Sequence, residues 1–334
     1  MGILTEHIAE FLRQHGFKCP VRIRKGQEIL CVEEMQRYVI PVMIDAVSPV
    51  QATENTENLE NLLNELESEG ITSIIITEDR WRRQQEMMKA RLLAHLEVFI
   101  PMFARNCEVR KIEKETAAEF LDRNHSYGDA ACRYRYGLYL KRYTGKKAEI
   151  SLADAQATSS MTRLAMLARN DSGDLLVQPD TLVAVATFSN ARKWQKGDKV
   201  IRSYEWTRYA SLPGVRISGG MGKVLKAFIK DVQPDDIMSY ADLEWSEGAV
   251  YEQLGFTLEG QKAPVMFSVD GQWHRSALKQ QSGLCMTAVD MPPTARGCRS
   301  GAKTGVNESH AQTTDRYFQN LGSNKYRLKL TEYE

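Results

Sequence analysis

The sequence predicts an α/β protein, a small α/β module followed by a mixed sheet flanked by helices. Three observations carry that expectation. Apolar residues recur at helical spacing over residues 3–14 and 55–69, whereas YVIPVMIDAV (38–47), ITSIIITED (71–79) and TLVAVATFS (181–189) are apolar or β-branched runs of strand length. Helix and strand signals alternate along most of the chain, as they do in α/β and α+β proteins. The 334 residues, 43% hydrophobic and 26% charged, suit a globular chain of about two domains.

The first module is expected over residues 1–103. Its helix over 3–14 leads to the apolar strand at 38–47, then to an acidic helix over 55–69 with Leu59, Leu62, Leu63 and Leu66 on one face, ended by Gly70. A buried strand at 71–79 and a basic amphipathic helix over 81–96 complete it. The order resembles the end of restriction-endonuclease-like modules of phage and mobile-element proteins. Such nucleases need several carboxylate oxygens for a metal and a neighbouring base for the attacking water. Only Asp45 ends an apolar strand suitably, and no Lys stands two residues after a second acid. The resemblance therefore implies a degenerate, non-cleaving module kept for docking on DNA, with Glu6 and Asp45 as surface or capping carboxylates.

The second domain is expected over 104–334. CEVRKI (107–112) is a strand, 113–124 a helix running into Asn124-His125-Ser126-Tyr127-Gly128, and CRYRYGLYL (132–140) and 181–189 are strands separated by a polar insert around 145–178. Three pieces follow: SYEWTRYAS (203–211), VRISGGMGKVLKAFIKDV (215–232) and IMSYADLEWSEGAVYEQLGF (237–256). They spell strand, glycine-rich turn, helix, strand, helix. Gly219, Gly220 and Gly222 open the first helix, where uncapped N–H groups and the positive end of the helix dipole can hold a pyrophosphate. The plainer alternative is a tight strand-to-helix connection.

A net charge of +1 excludes the global basic field of a nucleic-acid binder, so local patches must supply any such contact. Arg80, Arg82, Arg83, Lys89 and Arg91 form one; residues 133–147 mix cations with tyrosines and form another, readable also as a solvated strand face. The six cysteines show neither CxxC pairs nor zinc-ligand spacing, which predicts reduced intracellular thiols and no metal. Neither a signal peptide nor an apolar membrane-spanning run is present, so the expected location is cytoplasmic, with no membrane partner. Glu6 defeats the myristoylation pattern that Met1-Gly2 begins.

Tyr251-Glu252-Gln253-Leu254-Gly255-Phe256 resembles the Tyr-x-x-Leu-Gly-Phe ending of GNAT acyltransferases, at a fitting distance after the glycine turn. The resemblance implies a donor of the acyl-coenzyme A type, acetyl-coenzyme A among the candidates, held by Arg216, Gly219, Gly220, Gly222 and Lys223 beside two splayed strands. It also implies that Tyr251 protonates the departing thiolate. A phenol stays protonated at neutral pH and suits that role. Arg216 fits the family's spacing only when counted to Gly219, which leaves Met221 where a small residue is expected. FLDRNHSYG (120–128), the Gly-Gly turn, SYADLEWSEG (239–248) and RYFQNLGSNKYRL (316–328) together resemble GNAT-like proteins of phages and mobile elements, including the Mom-type proteins that modify adenine in DNA. By that resemblance Tyr251, Asp242 and His125 are catalytic candidates, and Asn124, Arg208 and Ser246 bind substrate.

The residue chemistry agrees with those roles. Asp242, nine residues before Tyr251, is expected to share one cleft with it, and His125 to take a proton near neutral pH. Helix capping is the alternative for Asn124 and Asp242, and a solvated or paired cation the alternative for Arg208. Three functions remain in view: transfer to a nucleobase amine in DNA, acetylation of a protein or small-molecule amine, and a non-catalytic DNA-binding role. The donor, the acceptor and the oligomeric state are open at this stage.

Overall fold

The computed structural model describes residues 1–141, 179–246, 248–278 and 316–332. The first module runs α1 (Ile3–Gln14), β1 (Val21–Arg24), β2 (Gln27–Val32), β3 (Arg37–Val42), α2 (Pro49–Ser68), β4 (Thr72–Thr77), α3 (Glu78–Arg83) and α4 (Gln85–His95). Its sheet has the order β1-β2-β3-β4; the first three strands are antiparallel and β4 lies parallel to β3. Side chains alternate across this sheet as the pleat requires. Leu30, Val32, Val39, Ile74 and Ile76 face α1, α3 and α4, while Ile29, Cys31, Ile40 and Ile75 face Leu59, Leu62 and Leu66 of α2. Both faces are covered, which explains the unbroken apolar run in ITSIIITED.

Three local expectations change. The strand foreseen over 38–47 ends at Val42, because the chain leaves the sheet and Ala46 instead bridges to Tyr317. The acidic helix begins earlier, at Pro49, where Ser48 accepts a hydrogen bond from the Gln51 N–H (3.2 Å) as a side-chain cap. The helix foreseen over 81–96 is two helices broken at Gln84, whose side-chain amide donates to the Ser126 carbonyl (2.8 Å). Glu6 pairs with Arg13 on the exposed face of α1, and Asp45 is an exposed loop residue, so neither belongs to a carboxylate cluster.

The second unit continues with β5 (Ile100–Phe103), β6 (Cys107–Lys111), α5 (Lys114–Asn124), β7 (Tyr134–Leu140), β8 (Leu182–Phe188), β9 (Arg192–Lys196), β10 (Lys199–Ser211), β11 (Val215–Ser218), α6 (Gly220–Val232), β12 (Asp236–Asp242), α7 (Ala249–Gln253), β13 (Thr257–Lys262), β14 (Met266–Val269), β15 (Arg275–Ala277), β16 (Arg316–Gln319) and β17 (Ser323–Lys329). The insert at 145–178 lies outside the described residues. The mixed sheet has the order β13-β17-β12-β10-β8-β7-β6, with β9 also paired to β10. Every neighbouring pair is antiparallel except β10 and β12. Helix α5 covers one face through Ala117, Phe120 and Leu121 against Val185 and Ala210. Helix α6 covers the other through Val224, Leu225 and Phe228, the last stacked on Phe188 at 3.9 Å.

The two units share elements. β5 pairs in parallel with β11, the strand that carries the glycine turn. The small sheet β15-β14-β16 packs on the first module, where Thr56 donates to the Gln319 carbonyl (2.8 Å) and Thr53 to its side chain. The turn after β12 plugs into the module's edge: Leu243 packs with the α2-side core and Trp245 with the α1-side core. Between these two apolar anchors sits Glu244, with its side chain 1% exposed.

Candidate functional site

The site begins at a fork. β10 and β12 pair for three residues, Ser203 with Asp236, Tyr204 with Ile237 and Glu205 with Met238, and then separate. A register shift between Trp206 and Arg208 turns β10 onto β8 at that point, as bulges re-aim strands near functional sites. Ser239, the first residue of β12 beyond its pairing with β10, replaces the lost ladder bond by donating to the Trp206 carbonyl (3.0 Å). The Tyr251 hydroxyl lies 2.9 Å from the same Ser239 oxygen. Tyr251 is held there by ring contacts with Trp206, Phe256 and Tyr326. Burial raises its pKa and the Ser239 hydrogen bond opposes the rise, so the phenol is protonated at neutral pH.

Helix α7, which carries Tyr251, starts at Gly248 with φ +96°. A Cβ there would stand 2.5 Å from the Tyr326 ring, so only glycine fits. Ser246, foreseen as a substrate contact, accepts the Gly248 N–H (3.1 Å) and shapes this entry. On the same side of the sheet, α6 opens at Gly219 (φ +76°) without a side-chain cap. Gly220 admits the Tyr209 hydroxyl, 2.8 Å from where a Cβ would be, and Gly222 lies against Leu254 of the Tyr-x-x-Leu-Gly-Phe segment. Met221, the departure from the family pattern, packs on the core.

Two of the foreseen donor contacts are corrected or qualified. The Lys223 ammonium is committed to the carbonyls of Ala104 (2.8 Å) and Cys107 (2.5 Å), because the parallel β5–β11 pairing brings the segment 104–107 against α6; it is a structural clamp. Arg216 is exposed on β11 with its guanidinium 5.1 Å from the Phe99 ring centroid. It stays beside the glycine turn, since Gly219 follows three residues later.

Asp242 and Tyr251 do not share one side of a cleft. Ile237 and Ala241 face the α6-side core, which puts Ser239 on that face and Asp242, an odd number of residues on, on the α5 face. On β10 the shift divides residues likewise: Trp206 and Tyr209 pack on the α6 side, while Ala210 packs under α5. Arg208 shares the Ala210 face. The fork is therefore approached from two sides. Glycine turn, Ser239 and Tyr251 lie on one; Arg208, Asp242 and the loop after α5 lie on the other.

That loop joins the two strand ends. The Arg208 guanidinium donates to the Gly128 carbonyl (3.1 Å) and to its neighbour Thr207 (2.8 Å), so it anchors the loop instead of standing free for a phosphate. The Tyr127 hydroxyl donates to Asp242 (2.7 Å), and the other Asp242 oxygen accepts the Glu244 N–H (2.9 Å). Burial and the Glu244 charge raise the Asp242 pKa; Tyr127 and Arg80 hold it back. Asn124 caps the end of α5 by donating to the Phe120 carbonyl (2.9 Å). His125 does not take a proton near neutral pH: burial, then the charges of Arg208 and Arg80, push its pKa down to about 4. Its Nδ1 accepts the Tyr127 N–H (3.2 Å), which leaves the ring proton on Nε2 as a donor.

Two residues of this site were not singled out from the sequence, and a third, Arg80, was read there only as part of a basic patch. Ser239 and Tyr127 sit inside quoted motifs. Arg80 comes from α3 of the first module; it donates to Glu244 (3.0 Å), stands 3.8 Å from Asp242 and lies 5.1 Å from the Tyr127 ring centroid. Among the described residues no group of three His, Cys, Asp or Glu side chains could hold a metal ion, and no helix is long and apolar enough to cross a membrane. No protein-family model matches the chain, and no curated protein matches it.

Proposed function

We propose that the chain is a group-transfer enzyme of the GNAT acyltransferase type that moves an acyl group from a coenzyme A thioester to a nucleobase amine in DNA. The observation that carries this reading is the fork between β10 and β12, with a protonated tyrosine hydroxyl at its base and an uncapped glycine-rich helix start on the same side. A phosphate-bearing donor fits there, because free N–H groups and the helix dipole favour anions. When bound, the thioester supplies an electrophilic carbonyl and a thiolate leaving group.

Tyr251 is placed to give its proton to that thiolate, and Ser239 holds the phenol at the fork. The opposite side supplies the acceptor site. Tyr127 is 48% exposed, with the guanidiniums of Arg80 and Arg208 over its ring at 5.1 and 5.9 Å, an aromatic and cationic setting of the kind that receives a nucleotide. A second reading, transfer to a protein or small-molecule amine, is favoured by the net charge of +1 and by the commitment of Arg80 and Arg208 to internal partners.

Mass spectrometry of nucleosides from cells expressing the protein separates the two. The DNA reading expects a mass-shifted nucleoside with the native chain and none with Tyr251→Phe. An unshifted spectrum with the folded native chain rejects DNA as acceptor and moves the reading to the second.

A further inference from the structure

The first module reaches the acceptor side of the fork. Arg80 is buried, 8% exposed in its side chain, and is oriented by the Glu244 carboxylate, which Arg275 of β15 holds from the other side at 2.8 Å. Arg275 is itself fixed by Asp79 (2.6 and 2.9 Å) and Thr77 (3.0 Å) at the end of β4. Arg91 of α4 closes the group by donating to the Glu244 (2.5 Å) and Trp245 (3.2 Å) carbonyls. Within this frame Asp242 and Tyr127 form a hydrogen-bonded pair (2.7 Å), and Tyr127 is partly open to solvent.

We propose that the Tyr127–Asp242 pair is the proton acceptor for the incoming amine, and that Arg80 of the first module is the positioning residue that holds the pair in register. The inference rests on the transferase reading given above. As the amine nitrogen bonds to the acyl carbon and the carbon–sulfur bond breaks, the amine proton passes to the Tyr127 oxygen. The Tyr127 proton passes to Asp242, and the thiolate takes the Tyr251 proton. Charges and protons balance without a further reactant. The groups facing Asp242 are Arg80 from α3, Arg91 from α4, Tyr127 from the loop after α5 and Glu244 from its own turn. The two arginines favour its carboxylate; Glu244 opposes it.

Thiol release from acetyl-coenzyme A in the presence of duplex plasmid DNA, followed against pH, tests this. Tyr127→Phe keeps the ring and should lower kcat by about 100-fold, the usual size of a general-base effect, with KM for acetyl-coenzyme A unchanged within about twofold. Arg80→Met should move the rising limb of the pH profile upward, because the carboxylate loses a neighbouring cation, whereas Arg80→Lys should leave that limb in place. A Tyr127→Phe enzyme within about threefold of native kcat, or a loss confined to KM, overturns the proposal. If Arg80→Met does not fold, a lysine variant whose limb moves as far as one pH unit or more overturns the positioning role. Native protein that neither releases thiol nor binds acetyl-coenzyme A removes the transferase reading and this inference with it; thiol release that survives Tyr127→Phe removes this inference alone.

Discussion

Removal of the Glu244 carboxylate should separate the stability of the two units. The side chain is 1% exposed and accepts Arg80 at 3.0 Å and Arg275 at 2.8 and 3.0 Å. Breaking a buried ion pair from one side typically costs about 3–5 kcal/mol, since the remaining charge stays desolvated. The two arginines do not lose equally. Arg275 keeps the bidentate Asp79, whose carboxyl is driven up by burial but held below its usual pKa by Arg275, whereas Arg80 keeps, among the described carboxylates, Asp242 at 3.8 Å beside its contacts with the Tyr127 and Trp245 rings. Glu244→Ala should therefore cost toward the lower end, about 3 kcal/mol, with most of the loss at Arg80. Urea unfolding followed by tryptophan fluorescence reads this directly, because Trp245 and Trp81 report the docked edge. The double variant Arg80→Met/Glu244→Ala should recover about 1–3 kcal/mol of coupling. A Glu244→Ala cost below about 1 kcal/mol, or an additive cycle, would refute the view that this cluster locks the module onto the fork.

Three further outcomes follow from the geometry. Gly248→Ala should lose about 2–4 kcal/mol in thermal denaturation, from a positive φ and a Cβ pressed on Tyr326; a loss under about 0.5 kcal/mol would contradict the glycine requirement. Met221→Ala should cost about 1–3 kcal/mol while leaving coenzyme A affinity unchanged, because the side chain packs on the core; calorimetric titration beside a denaturation curve tests both halves. His95 and His125 both have folded pKa values pushed down from 6.5 to about 4, by burial first and neighbouring arginines second. Their contribution is present above pH 6.5 and lost as pH falls through 4, at roughly 2 kcal/mol per histidine between pH 7 and 5. A stability flat from pH 7 to 5, measured by urea midpoints, would count against the buried neutral imidazoles.

The long periodic segments were legible in the sequence. Residues 3–14 form the helix that their spacing predicts, and the glycine-rich stretch 215–232 does open a helix after a strand. Tyr251 was legible through its Leu-Gly-Phe setting, since local packing of Leu254 and Phe256 brings it to the fork. What was not legible depends on contacts between distant residues. Arg80 meets Glu244 across 164 positions and Tyr127 meets Asp242 across 115, and no local pattern encodes such pairs. The helix breaks at Gln84 without glycine or proline, and the Gln84 side-chain amide bonds the Ser126 carbonyl 42 positions away. The opposite facing of Asp242 and Ser239 was readable from strand parity, but only once the pairing at Met238 and the shift after Trp206 were known.

Hydrogen exchange of the native chain with and without coenzyme A shows whether the fork between β10 and β12 holds the donor. Slower exchange is expected at residues 218–223 and 206–211, around the glycine turn and the arm of β10 that has left β12 for β8, with the first module unchanged. Coenzyme A that protects neither stretch, or protects only residues 1–100, would contradict a donor site at the fork.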